Sequence, residues 1–195
     1  MEKKEIQEQR MRGYFIQATK EMLKAEGLKS ISVRNIADQA GYSYATIYNY
    51  FRDVKDLVFL CVKDFQQEIE TYIADDTEKL KQGNEKITGI AKSYINYFVQ
   101  YPGIFELFYI ERVTDIGNKQ DTIDLISNFL SKLCQSDWQY ILDNGLFSIQ
   151  EVENKKISLN CMVVGLLLLY LNRRHPAEYI DFIKNLDFQL KIIMD

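Results

Sequence analysis

The stretch from Ser32 to Phe51 constrains the fold more than any other, because it repeats one helix-start pattern twice around a glycine. In the first copy, the hydroxyl of Ser32 can accept a hydrogen bond from a free backbone N–H at the start of a helix. Ile31 and Ile36 flank it at the spacing of a hydrophobic staple, and later apolar residues recur at three- and four-residue steps. Gly41 follows, and glycine tolerates the positive φ at which helices commonly end.

The second copy of the pattern begins at Ser43, with Tyr42 and Ile47 at the staple positions and Ala45 predicted to face inward. Two helices around a Gly-containing turn form a helix-turn-helix, whose second helix enters the major groove of DNA. The second helix is predicted over Ser43 to Tyr50 and would be about 12 Å long. That length suits a major groove about 12 Å wide.

The outward side chains of this second helix carry hydroxyl and amide groups on aromatic and small residues, without charge. Such groups bond phosphate oxygens and base edges, and asparagine can pair bidentately with adenine. The alternative is an ordinary helical hairpin whose tyrosines pack against neighbouring helices. The residues predicted to contact DNA are Ser32, Arg34, Tyr42, Ser43, Tyr44, Thr46, Tyr48, Asn49, Tyr50 and Lys55.

Lys55 is included in this set because it lies in the first turn of the next predicted helix. Asp53 is a favourable N-cap for that helix, and Asp56 suits the positive end of the helix dipole. A lysine beside free backbone N–H groups makes a phosphate clamp. The alternative is a routine helix start with an exposed lysine.

The sequence GYSYATIYNYF from Gly41 to Phe51, followed by Lys55-Asp56-Leu57, resembles the DNA-binding signature of the TetR family of transcriptional repressors. The positions that match the signature are Gly41, Ser43, Ala45, Thr46, Ile47, Tyr48, Phe51 and Lys55. Tyr44 departs from the pattern, since a basic or small residue is commoner there, so the resemblance implies no base preference. It does imply a homodimeric repressor with a DNA-binding head and a helical ligand-binding body.

Composition agrees with an all-α chain, because only two prolines and nine glycines interrupt 195 residues of which 47% are hydrophobic. Residues 1–55 contain ten Lys or Arg and seven Asp or Glu, which is a net charge of +3. The whole chain has a net charge of −4, so residues 56–195 carry a net charge of −7. A basic end on an acidic body suits binding to DNA through one face. We therefore predict a helix-turn-helix DNA-binding domain over 1–55 and a helical ligand-binding and dimerisation domain over 56–195.

Apolar periodicity predicts the other helices and brings the total to about nine. We predict a polar lead-in over Met1 to Arg12, whose end overlaps the start of the first helix. That first helix and the two helices of the helix-turn-helix form the predicted three-helix DNA-binding head. Pro102 suits the first position of a sixth helix. The predicted segments are Arg10 to Glu26, Asp53 to Asp76, a helix from about Lys86 to Tyr101, a helix from Pro102, a turn over Ile116 to Gln120, a helix over Thr122 to Asp143, and two helices at the C-terminal end.

A group of aromatic residues on the middle helices suggests a ligand pocket, since small-molecule sites in bundles are mainly apolar and aromatic. The alternative is that these residues are plain core, which is the commoner role of aromatics at helical spacing. We predict a small hydrophobic or aromatic effector, bound within residues 87–143. The candidate ligand-binding residues are Tyr94, Tyr97, Phe98, Tyr101, Phe105, Phe108, Tyr109 and Trp138.

The run CMVVGLLLLYL from Cys161 to Leu171 is apolar without a break, but at eleven residues it is shorter than the roughly 20 that a membrane span needs. A helix apolar all round must be buried on all sides. We therefore predict that residues 158–193 form the homodimer interface, with Gly165 permitting close approach of helices and Leu167 or Leu168 in the contact. A monomer whose last helices close a single core is the alternative.

Enzymatic functions find little support, because His175 is the only histidine and no phosphate-binding glycine loop or CxxC pair occurs. The sequence predicts no catalytic residue, metal site or cofactor. Cys61, Cys134 and Cys161 are predicted to be structural thiols in apolar surroundings, consistent with a cytoplasmic protein. The predicted function is a repressor of a palindromic double-stranded DNA operator, with no membrane partner. A DNA binder controlled by a protein partner and a helical small-molecule carrier are the alternatives.

Overall fold

The computed structural model describes residues 3–110 and 124–195, and within those ranges the fold is all-α, as predicted. A 3-10 turn spans Leu28–Ser30 and a π-helical turn spans Glu106–Ile110. The helices are α1 Lys3–Glu26, α2 Val33–Ala40, α3 Tyr44–Ile47, α4 Val54–Thr77, α5 Asn84–Gln100, α6 Pro102–Phe105, α7 Phe129–Leu133, α8 Gln135–Asp143, α9 Ile149–Arg173 and α10 Tyr179–Met194.

Helix α1 begins at Lys3, so the predicted polar lead-in to Arg12 is wrong over its described part. The segment before Gly13 contains Lys, Glu, Gln and Arg, which are good helix formers, and Glu5 in the first turn suits the helix dipole. Polarity alone therefore did not mark a loop. The other end of α1 is as predicted, because the chain leaves the helix at Gly27 with φ 73°.

The chain forms two compact units. The first consists of Met1–Gln67 with Tyr101–Ile126, and the second consists of Glu68–Gln100 with Ser127–Asp195. Helix α4 therefore begins in the first unit and ends in the second. The domain boundary between residues 55 and 56 stays a prediction.

The core of the first unit is a cluster at the helix-turn-helix. Its buried members are Phe15, Ile36, Ala37, Ile47, Phe51 and Leu57. They come from α1, α2, α3 and the start of α4, so each of these helices contributes an apolar face to one core. Ala45, predicted to face inward, is exposed, because the four-residue α3 directs Ile47 alone into the core.

Gly103 of α6 lies directly against the C-terminal end of α1. A Cβ added to Gly103 would stand 2.3 Å from the carbonyl oxygen of Leu23 and 2.9 Å from the Cα of Gly27. Pro102 occupies the first turn of α6, as predicted, and the Lys24 ammonium lies 4.8 Å from the ring centroid of Tyr101. Only a residue without a side chain permits this approach of α6 to α1.

The helix predicted over Thr122 to Asp143 is interrupted, so a single helix there is wrong. Asn128, just before α7, has φ −98° and ψ 1°, and Cys134, between α7 and α8, has φ −91° and ψ 2°. A ψ near zero departs from the helical value of about −42°. Phe129 and Trp138 on either side of Cys134 are both buried, so the break preserves inward packing. The turn over Ile116 to Gln120 and the start at Thr122 lie outside the described residues.

In the second unit, α9 and α10 pack against each other and against α5. Every apolar position predicted to face inward on α5 is buried: Ile87, Ile90, Ala91, Tyr94, Ile95 and Phe98. Helix α9 starts with a capping box, in which Ser148 accepts from the Glu151 amide and the Glu151 carboxylate accepts from the Ser148 amide. The α5 face is thus the centre of this unit's core.

Helix α9 is the one part of the described chain that is long and apolar enough, by length and composition, to cross a membrane. Only 17% of its most apolar 18-residue window is buried within a single chain. Leu167 is buried in the chain's own core, whereas Leu168 and Leu169 are exposed. Cys161, predicted to have apolar surroundings, is exposed as well. The apolar run is therefore two-sided, with one face in the core and another left uncovered.

Replacing Gly103 with alanine tests the close approach of α6 to α1. The added Cβ would clash with the Leu23 carbonyl, so we expect Gly103→Ala to lower the free energy of unfolding by about 1–3 kcal/mol. Gly13→Ala is the matched control: it lies within α1 with nothing within 4 Å of an added Cβ, and should stabilise by about 0.5–1 kcal/mol. Urea unfolding followed by circular dichroism measures both. Equal stability of the two variants would contradict the contact.

Candidate nucleic-acid interface

The turn of the helix-turn-helix has the geometry that the sequence predicted. The Ser32 side chain accepts a hydrogen bond from the Asn35 amide at 3.1 Å, which caps α2. Gly41 adopts the left-handed conformation, with φ 76° and ψ 29°, and the following Tyr42 amide donates to the Ala37 carbonyl at 2.9 Å. These bonds fix the angle at which the chain leaves α2 and enters α3.

The second helix of the motif is shorter than predicted. Regular α-helix covers Tyr44–Ile47, and hydrogen-bonded turns continue to Phe51, whose amide donates to the Ile47 carbonyl at 2.9 Å. Ser43 occupies the N-cap position, but its hydroxyl lies 2.9 Å from the Thr46 hydroxyl and bonds that side chain. The prediction of a regular helix to Tyr50 is thus corrected to one helical turn extended by tighter turns.

The exposed face of this motif is rich in tyrosine. Tyr44 is 64% exposed and Tyr48 is 58% exposed, and both rings stand on an otherwise small and polar surface. Of the other residues predicted to contact DNA, Arg34, Tyr42, Ser43, Asn49 and Lys55 are exposed, whereas Ser32, Thr46 and Tyr50 are half-buried. Tyr50 packs on Phe15, with ring centroids 6.0 Å apart. The structure therefore brings the predicted residues onto one small motif, and their contact with DNA stays a prediction.

Arg12 holds the end of the motif in place, which the sequence analysis did not anticipate. Its Nη1 atom donates to the Tyr50 carbonyl at 2.5 Å, and its guanidinium lies 4.5 Å from the centroid of the Phe51 ring. Arg12 stands three residues before the buried Phe15, on the same face of α1. A lone arginine on an apolar helix face is the signal that could have identified it.

The start of α4 is capped as predicted. The Asp53 carboxylate accepts a hydrogen bond from the Lys55 amide at 3.1 Å, and Asp56 lies in the same first turn. The Lys55 side chain is exposed. A cation therefore stands in the first helical turn after the tyrosine-rich face, where a phosphate oxygen could bind both it and backbone N–H groups.

The buried cysteines are poor nucleophiles. Burial raises the pKa of Cys61 to about 12, and the nearby Asp64 carboxylate adds to the effect. Burial likewise raises the pKa of Cys134 to about 12, with a further contribution from Asp137. Because the thiolate is the reactive form, both side chains are structural thiols at neutral pH.

The aromatic residues predicted to bind a ligand divide between the two units. In the second unit, Tyr94, Tyr97, Phe98 and Trp138 are all buried, and the rings of Tyr94 and Phe98 meet edge to face with centroids 4.9 Å apart. Trp138 Nε1 is a buried donor with no hydrogen-bond partner among the described residues. In the first unit, Phe105 and Phe108 are buried while Tyr101 and Tyr109 are half-buried. A role in ligand binding stays a prediction for all eight.

An open groove of about 490 Å³ lies between α9 and α10. Its lining combines small and apolar side chains, namely Cys161, Met162, Gly165, Leu166, Leu169, Asn185, Phe188 and Gln189. Gly165 has nothing within 4 Å of an added Cβ, so the space beside it is open. Leu169 is 44% exposed and Phe188 is 62% exposed. This face is apolar, concave and uncovered within one chain.

Comparison with known proteins finds a family match in the N-terminal part of the chain. Residues 15–60 match the family described as bacterial regulatory proteins, tetR family. This segment contains α2, α3, the intervening turn and the cap at Asp53, which are the elements of the site described above.

Solved structures share the fold over nearly the whole chain. The regulator FadR from Bacillus subtilis, in complex with stearoyl-CoA, is 14% identical with a TM-score of 0.72, covering 93% of this chain and 97% of its own. RolR in complex with resorcinol is 15% identical with a TM-score of 0.68, covering 95% and 88%. A TetR-family regulator from Marinobacter aquaeolei VT8 is 15% identical with a TM-score of 0.62, covering 98% and 97%.

Arg12→Ala should loosen the end of the recognition motif. Loss of a charged hydrogen bond and a cation–π contact should cost about 2 kcal/mol, because the Tyr50 carbonyl and Phe51 ring lose their shared partner. Amide hydrogen exchange at Tyr50 and Phe51 should then accelerate about thirtyfold, since 1.4 kcal/mol is a factor of ten.

Arg10→Ala is the control for this change, because Arg10 is an exposed arginine on the same helix. It should leave the exchange rates at both amides unchanged. If Arg12→Ala also leaves them unchanged, the guanidinium does not hold the motif.

Proposed function

We propose that this chain, a member of the TetR family of transcriptional regulators, is a cytoplasmic repressor that binds a palindromic operator as a homodimer. A small hydrophobic or aromatic molecule releases it from the operator. The observation that carries the proposal is the exposed tyrosine-rich face of a helix-turn-helix whose sequence matches the family's DNA-binding segment. The family match over residues 15–60 supports DNA binding as the function.

DNA recognition in this proposal divides between contacts that position the protein and contacts that read bases. Tyr48 and Lys55 are assigned to phosphate oxygens, because one follows the α3 turn and the other stands in the first turn of α4. Tyr44 and Asn49 are assigned to base edges, because both are exposed on the same motif and carry hydrogen-bonding groups that can reach into the groove. The net charge of +3 over residues 1–55 attracts the duplex.

In this proposal, dimerisation buries the exposed apolar face of α9 and α10. Exposed apolar side chains along both helices give that face its character: Ile157, Leu168, Leu169, Phe188 and Ile192. A contiguous apolar patch of this kind is costly in water and marks an association site. Self-association of the same pair of helices about a twofold axis would bury it in a four-helix interface.

The effector in this proposal is hydrophobic or aromatic, and Trp138 is the residue that most favours a bound molecule. Its indole Nε1 is buried without a partner among the described residues, and an unpaired buried donor costs about 1–3 kcal/mol. A ligand with an acceptor oxygen would satisfy that donor. Solved relatives contain stearoyl-CoA or resorcinol, and both carry such oxygens beside apolar carbon.

Within the first unit, this proposal assigns α6 the role of passing movement to the DNA-binding motif. Gly103 touches the Leu23 carbonyl and Gly27, so any displacement of α6 is passed to the end of α1. Helix α1 in turn supplies Phe15 to the core under the recognition motif and Arg12 to its end. Because packed interiors resist compression, a shift of α6 tilts α1 rather than being absorbed locally.

Tyr48→Phe and Lys55→Ala test the phosphate contacts. Using an operator selected from random-sequence DNA, both variants should weaken binding to a similar degree across operator sequences. Lys55→Ala should also lower the slope of log affinity against log salt by about one.

Lys79→Ala is the control, since Lys79 is an exposed lysine of the second unit. It should leave affinity and salt slope unchanged in fluorescence anisotropy titrations. Wild-type affinity in both test variants at moderate salt would show that the DNA face has been assigned wrongly.

Leu169→Glu and Phe188→Glu test the dimer interface, because each places a charge on the apolar groove face without touching the chain's own core. Sedimentation at micromolar concentration should find monomers, and tight operator binding should be lost because one module reads only a half-site. Leu146→Glu changes an exposed leucine outside residues 158–193 and should remain dimeric. A monomeric wild type would rule the interface out.

A further inference from the structure

Two exposed tyrosines form a pair beside the turn of the helix-turn-helix. The rings of Tyr14 on α1 and Tyr42 after Gly41 have centroids 6.3 Å apart and an interplanar angle of 22°, so they are stacked. Tyr14 is 53% exposed and Tyr42 is 37% exposed. The separation lies in the range of about 4.5–7 Å over which aromatic pairs attract each other. An exposed aromatic residue on α1 thus has a specific partner on the recognition motif.

Tyr42 is held from its other side by the core. Its ring meets the ring of Phe15 with centroids 5.5 Å apart and an interplanar angle of 59°, and Phe15 is fully buried. Its backbone is fixed as well, since its amide donates to the Ala37 carbonyl at 2.9 Å. Tyr42 therefore stands between a rigid buried ring and a solvent-side ring, immediately before the N-cap Ser43.

We infer that Tyr14 is a positioning residue for operator recognition, because its ring stacks on Tyr42 and holds that side chain in place before DNA arrives. The inference rests on the proposed function, together with the prediction from the sequence that Tyr42 is one of the residues that contact DNA. Tyr14 itself touches no DNA; it acts through its ring alone, and its hydroxyl is dispensable. Tyr14 lies one residue before the segment 15–60 that matches the family.

The expected effect follows from the entropy of ordering a side chain on binding. An exposed side chain that must be immobilised at an interface costs about 0.5–1.5 kcal/mol, which is about a two- to twelvefold loss of affinity. Stacking by Tyr14 removes part of that cost in advance. Tyr14→Ala should therefore weaken operator binding about three- to tenfold, while Tyr14→Phe keeps the ring and should bind as the wild type does.

A double-mutant cycle in the full-length protein tests the inference. Operator affinity is measured by anisotropy for the wild type, Tyr14→Ala, Tyr42→Ala and the double variant, with thermal unfolding recorded for each. Gln17→Ala, an exposed residue one turn further along α1, is the matched control and should bind normally. In the Tyr42→Ala background, Tyr14→Ala should cause no further loss, and the salt slope should be unchanged by Tyr14→Ala.

Each other outcome overturns the inference in a distinguishable way. A loss from Tyr14→Ala that persists in the Tyr42→Ala background means that Tyr14 contacts DNA directly. A loss shared by Tyr14→Phe means that the hydroxyl matters, and a loss that tracks a fall in unfolding temperature means that Tyr14 only stabilises the head. Normal operator binding by Tyr14→Ala or by Tyr42→Ala refutes this inference but leaves the proposed function intact. A wild-type protein that selects no operator refutes both the inference and the proposed function.

Discussion

The contact between Gly103 and the end of α1 is the constraint on which the rest of the structure depends. Gly103 stands so close to the Leu23 carbonyl that any side chain would clash, and Gly27 opposite it has a positive φ. Two glycines from segments far apart in sequence therefore make one backbone-to-backbone junction. Through this junction, α6 belongs to the same compact unit as the DNA-binding motif.

The motif that this junction supports is preorganised at several points. Ser32, Gly41 and Asp53 fix the backbone at the start of α2, at the turn and at the start of α4. Arg12 fixes the exit from α3 by bonding the Tyr50 carbonyl. Because these groups are already in place, little ordering remains to oppose DNA binding. The exposed face of α3 and the turns that follow it carries uncharged hydrogen-bonding groups. Such groups suit recognition of a defined sequence better than general attraction to DNA.

Local chemistry made the helix ends and the turn predictable. A serine before a run of periodic apolar residues, a glycine after it and a proline at the start of α6 each act on backbone groups within a few residues. The local sequence is therefore enough to predict where these helices begin and end. The α5 face was predictable for the same reason, since one helical period defines it.

Features that depend on partners distant in sequence were not predictable. Ala45 stands at an apolar position of the helical pattern and is nevertheless exposed. Arg12 finds its partner 38 residues away, which no spacing rule indicates. The apolar run in α9 could not reveal that Leu167 faces the core while Leu168 and Leu169 face outward. The packing of α9 against α5, α7, α8 and α10 decides which side is covered.

The central claim is that effector binding and operator binding are coupled in one protein, and thermodynamic reciprocity tests it most directly. Trp138 is the only tryptophan, so its fluorescence reports on a buried position in the segment proposed to bind the effector. Stearoyl-CoA, resorcinol and a lipophilic cation would each be titrated into the full-length protein, with and without saturating operator. The account predicts that one of these compounds binds and lowers the affinity for operator. Saturating operator should lower the affinity for that compound by the same factor, about thirty- to more than a hundredfold for about 2–3 kcal/mol of coupling. A compound that binds with identical affinity in both titrations would contradict the account.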